Sequence, residues 1–71
     1  MFLYRFLTGV DDAAFCARVE KLLNEGWVLH GPPVLTFDGV RMRAGQAITC
    51  ERSGSYGGFV PLDTMYPEHG R

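Results

Sequence analysis

"WVLHGPPVLTFDGVRMRAGQAITC", residues 27–50, is two apolar runs joined by Asp38-Gly39. That dipeptide is the strongest short hairpin signal, because a type I′ turn places both central residues at positive φ. As a two-residue turn it sets Phe37 opposite Val40 and Leu35 opposite Met42. The same register, continued outward, brings Leu29 to Ile48 and Trp27 to Cys50, all on one face. The other face then carries Val28, Val34, Thr36, Ala47 and Thr49, with few charges to solvate them. Pro32 and Pro33 cannot donate to a ladder and Gly45 lies nearly opposite, so a bend or bulge is expected there, protecting an edge.

Upstream, "FLYRFLT", residues 2–8, alternates Phe2, Tyr4 and Phe6 with Leu3, Arg5 and Leu7 and reads as a strand covered on at least one side. The period then changes. Phe15, Val19, Leu22 and Leu23 fall on one helical face with Cys16 at its edge, while Arg18, Glu20, Lys21 and Glu25 point to water. Asp11 is the expected N-cap, Asp12 sits in the first turn, and Gly26 supplies the left-handed residue that ends the helix.

Downstream, "SGSYGG" is a flexible link over 53–58, and "FVPLDTMYPEHGR" is an apolar arm over 59–71. An arm this apolar is expected to pack on the body or on a neighbouring copy. The chain therefore divides into a β-α-β-β domain over 1–52, the link, and the arm. The fold class is α+β: a three-stranded sheet, antiparallel or mixed, with the third strand in the middle and one helix on one face.

A chain of 71 residues is one domain, and a fold of this size buries only about 60% of the surface its unfolded chain exposes. Help from partners would add stability. Seven Lys and Arg against eight Asp and Glu leave a net charge of −1, with no basic stripe for duplex nucleic acid or anionic lipid. The start "MFLYRFLTGV" lacks the basic region and cleavage site of a signal peptide, and no run is long enough for a membrane helix. Cys16 and Cys50 sit among apolar residues and are read as reduced thiols without a disulfide, in a cytoplasmic protein.

"LTGVDDAAFCARV", "LNEGWVLHGPPVLTFDG" and "AGQAIT" resemble the family called domain of unknown function 1737, a set of small bacterial proteins, over residues 3 to 51. The resemblance implies a shared fold and brings no assigned activity or catalytic residues.

No residue pattern argues for catalysis. His30 and His69 stand at no ligand spacing from either cysteine, so no metal site is expected. A Cys/His pair is disfavoured because His30 and Cys50 fall on opposite strand faces, and Cys16 is expected to fill core. "SGSYGG" is followed by Phe59-Val60-Pro61 rather than by a helix start with lysine, unlike a phosphate loop. Asp11 and Asp12 already have a capping role. Arg41 and Arg43 share a strand face and could grip an anion, although such pairs are more often solvated surface. Trp27, just after the helix, is expected to fill the gap between helix and sheet.

The element order is also similar to that of dodecin, a flavin-storing assembly in which strand aromatics and a glutamine meet the ring. That resemblance, in topology and length only, points to Trp27 and Gln46 as ligand-binding positions. The leading expectation is a homo-oligomeric interaction or assembly module without catalytic activity or a cofactor. A binder of a small flavin-like aromatic ligand is the alternative.

Overall fold

The computed structural model describes residues 1–66. Its elements run β1 (Phe2–Val10), α1 (Ala13–Asn24), β2 (Val28–Phe37), β3 (Met42–Glu51) and a single-turn α2 (Leu62–Met65). The strand order is β1-β3-β2, with β3 central and antiparallel to both neighbours. This is the expected α+β architecture, with the connection through α1 stepping over the central strand.

The alternation in β1 fixes the two faces. Leu3, Arg5 and Leu7 point inward and are buried, while Phe2, Tyr4 and Phe6 are exposed on the other side. Pairing with β3 sets Leu3 against Cys50, Arg5 against Ile48 and Leu7 against Gln46. Leu22 from the helix and Trp27 close this layer into a core, and each such apolar side chain contributes about 1.5 to 3 kcal/mol on burial.

Both ends of α1 have explicit caps. The N-cap is Asp12, one residue later than expected, and its Oδ1 accepts from the Phe15 N–H at 3.0 Å. Asp11 is held on the sheet, where its N–H donates to the Met42 carbonyl at 3.0 Å, so the chain first turns away at Asp12. At the other end Gly26 has φ 100°. Its N–H reaches the Leu23 carbonyl at 3.2 Å while that of Trp27 reaches Leu22 at 3.1 Å, the paired bonds of a Schellman motif. The motif drops Trp27 from the helix end directly into the core.

The hairpin differs from the two-residue turn. No residue other than glycine has positive φ, so Asp38 does not enter a type I′ turn. Its Oδ1 instead accepts from the N–H groups of Val40 and Arg41, both at 2.8 Å, and widens the connection to residues 38–41. Phe37 therefore pairs with Met42, and Leu35 with Ala44 rather than Met42. The shift is reversed further down, where Gly31, Pro32 and Pro33 bulge opposite Gln46 and the expected pairing of Leu29 with Ile48 returns. Gln46 Nε2 donates to the Gly31 carbonyl at 3.1 Å, giving the bulge a partner that its prolines cannot supply.

A helix of twelve residues is about 18 Å long, and α1 rests on β1 and the core. The inner face of β2 stays bare at Leu29, Leu35 and Phe37, and no residue of β2 is buried. Cys16, expected in the core, is exposed, because only Phe15, Val19 and Leu22 of α1 reach the sheet layer. Beyond the link, Leu62, Met65 and Tyr66 of the arm pack on the same core in cis.

Candidate functional site

Two surfaces stand apart from ordinary solvated structure. The first is the outer sheet face. Phe2, Tyr4 and Phe6 are 74, 54 and 51% exposed along β1, and Val28 and Val34 are equally open on β2. Between these two ridges runs a trough of small residues, Gly45, Ala47 and Thr49 of β3. The Phe6 ring leans over Gly45 so closely that a Cβ there would lie 2.7 Å from it. A depression of about 320 Å³ opens beside it, bordered by Thr8, Val34, Thr36 and Arg43. The charges of β3 on this face lie at its two ends, Arg43 and Glu51. Arg43 Nε also meets Asp38 Oδ2 at 2.7 Å.

The second surface surrounds Arg5, which the alternation of β1 buries between Leu3 and Leu7 at 8% exposure. Its Nη1 donates to the Tyr4 carbonyl at 2.7 Å, and its Nη2 donates to the Val60 carbonyl and approaches Met65 Sδ at 3.8 Å. The guanidinium carbon lies 4.1 Å from the centre of the Phe59 ring and 5.8 Å from that of Trp27. Nε has no partner, and among the described residues no carboxylate pairs with this cation. A cleft of about 530 Å³ opens beside it between the start of β1 and the strap 56–60. In the sequence Arg5 is one member of the β1 alternation and carries no motif of its own. The signal present was a cation spaced by two between leucines on the core face.

The expected binding residues do not converge. Trp27, at 2% exposure, is core, and its Nε1 donates to the Tyr66 hydroxyl at 3.2 Å. That hydroxyl also accepts from Arg52 Nη2. Gln46 is buried on the same inner face and engaged with the bulge. Arg43 stands on the outer face, and Arg41 lies in the exposed hairpin loop. The carboxyl of Asp38 is held down to about 2 from its ordinary 3.8, first by the Arg41 N–H, then by the Arg43 side chain and the Val40 N–H.

Cys16 and Cys50 are free thiols, and Cys50 faces the core while His30 pairs with Ala47 on the outer face. No group of His, Cys, Asp or Glu among the described residues is placed to hold a metal ion. His69 lies outside those residues. No helix among them is long and apolar enough to cross a membrane.

The model of the family described as domain of unknown function DUF1737 matches residues 1–51. The chain belongs to this family. No curated protein and no solved structure matches it. The DUF1737 domain thus takes in β1 through β3 and so contains the whole outer face and Arg5, while the strap and α2 that cover Arg5 follow it.

Proposed function

We propose that this protein is a non-catalytic self-association module whose outer sheet face packs on the same face of a second copy. The observation that carries this reading is the aromatic ridge Phe2, Tyr4, Phe6, left in water on a domain with few residues to spare for its core. Small monomers rarely expose contiguous apolar patches larger than a few hundred Å², and such packing would cover the outer face of β2, a strand without one buried residue.

Charge selects the orientation. A two-fold axis relating two such sheets lies in the plane between them. With the axis along the strands, Arg43 would lie over the partner's Arg43 and Glu51 over the partner's Glu51. With the axis across the strands at the level of Ala47, strand direction reverses, and Arg43 lies over the partner's Glu51 at both ends. The same reversal sets Val28 over the partner's Val34, because β3 places Thr49 beside Val28 and Gly45 beside Val34. The aligned twist of about 30° between packed sheets keeps these partners within side-chain reach. Each exposed ion pair contributes only about 0.2 to 1 kcal/mol, so the charges fix orientation while apolar burial supplies affinity.

Trp27 is too deeply buried to stack on a flavin-like ring without unfolding the helix end, so the ligand reading based on it is the weaker one. Sedimentation equilibrium at micromolar concentration tests the proposal. The expected mass is twice the 7.9 kDa of the chain, falling to the monomer value in Phe6→Lys. A wild-type monomer would end this reading.

A further inference from the structure

We propose that the cleft beside Arg5 is a binding site for a small organic acid, an apolar body carrying one carboxylate. Three observations converge on it. The cleft is walled mainly by apolar groups, among them Leu3, Tyr56, Phe59 and Met65, and among the described residues that line it Arg5 carries the one charged side chain, the Met1 α-ammonium being engaged with the Arg52 carbonyl. Its volume of about 530 Å³ suits a small ligand.

Arg5 itself is the second observation. A buried charge is costly unless it is paired, and a guanidinium offers five N–H donors in a fork that fits a carboxylate. Here two carbonyls and a sulfur take part of that capacity, Nε has no partner, and the positive charge has no anion beside it among the described residues. Two aromatic rings stabilise the cation and leave its charge uncompensated. A carboxylate supplies what this environment lacks.

The third observation is the strap that covers the guanidinium. Phe59 lies on Arg5 yet is itself largely exposed, and it follows Gly57-Gly58, of which Gly58 has φ 115°. A glycine pair lets the strap lift at low backbone cost. Lifting Phe59 and Val60 would free the donor now given to the Val60 carbonyl and open Arg5 to the cleft. The cleft also borders Phe2 and Tyr4 of the outer ridge, but the guanidinium that recognises the acid lies on the inner face under the strap, so the acid preference over the amide reads this site whether or not the outer faces pair.

Decanoate and its neutral isostere decanamide are the probes, and the emission of Trp27, the one tryptophan in the chain and a neighbour of Arg5, is the readout. Decanoate is expected to give a saturable emission change, with decanamide bound about tenfold or more weakly, the loss expected for a charge-assisted bond. In Arg5→Met, which removes the cation and keeps an apolar chain in the core, acid and amide should bind alike. Arg5→Lys should retain part of the preference. Absence of saturable decanoate binding, equal affinity for the two probes, or an acid preference that survives in Arg5→Met would each overturn the proposal. The wild-type comparison stands even if a variant fails to fold.

Discussion

The N–H of Trp27 donates to the carbonyl of Leu22 at 3.1 Å, and the two side chains then meet in the core. One backbone bond at the end of α1 therefore places the largest side chain of the protein over the sheet. Trp27→Ala should lower stability by about 3 to 5 kcal/mol, the range for large core truncations. Denaturant unfolding measures it. A mutant as stable as the wild type would remove Trp27 from its structural role.

The hairpin loop depends on Gly39, which has φ 100°. A β-branched residue is strained there, so Gly39→Val should cost more than about 1 kcal/mol. Thermal unfolding checks this, and an unchanged midpoint would mean that the loop tolerates another backbone path.

These two positions show how far the sequence could be read. Helix, strands and central β3 were legible because the 3.6-residue and two-residue periods are clean in "AAFCARVEKLL" and "FLYRFL". The pairing of Leu29 with Ile48 was legible too, although the turn was read two residues too tight. That error cancelled because the bulge at Gly31-Pro32-Pro33 takes up the residues that the loop adds. What could not be read was the choice made by Asp38, whose carboxylate caps two backbone N–H groups instead of entering a positive-φ turn. Arg5 was hidden for another reason. Its environment is built by Phe59 and Val60, more than fifty residues away in the chain, and no local pattern reports such a contact.

Asp38 also makes a pH prediction. Its carboxyl is depressed to about 2 from 3.8 by bonds that only the folded loop provides. A depressed acid stabilises the folded state fully above its unfolded value, and that contribution is lost as pH falls from about 3.8 toward 2. Carboxyl chemical shifts followed through a pH titration should place Asp38 below the exposed acids. Titration near 3.8 would show that the Val40, Arg41 and Arg43 contacts do not persist in solution.

The arm covers the core in cis, with Leu62 and Met65 packed on it and Tyr66 bonded to Trp27. Deleting residues 59–71 should therefore lower the melting midpoint and uncover apolar surface that binds a hydrophobic dye. Unchanged stability without dye binding would mean that β1, α1 and β3 close the core alone.

The central claim, association through the outer faces with reversed strands, is tested most directly by mixing two charge variants and weighing the product. Glu51→Arg alone sets Arg43 against a new cation on the partner, and Arg43→Glu alone sets Glu51 against a new anion, so each should sediment closer to the 7.9 kDa monomer than the wild type does. Arg43→Glu also disturbs the contact with Asp38, but equally in the pure and mixed samples. In an equimolar mixture every facing pair is again of opposite sign, and sedimentation equilibrium should return a heterodimer of about twice the chain mass. Single variants that sediment like the wild type would contradict the reversed strands, since with strands aligned each change only exchanges one like-charged pair for another, and a mixture that sediments as the average of its two components, with no gain in mass, would contradict the face-to-face dimer.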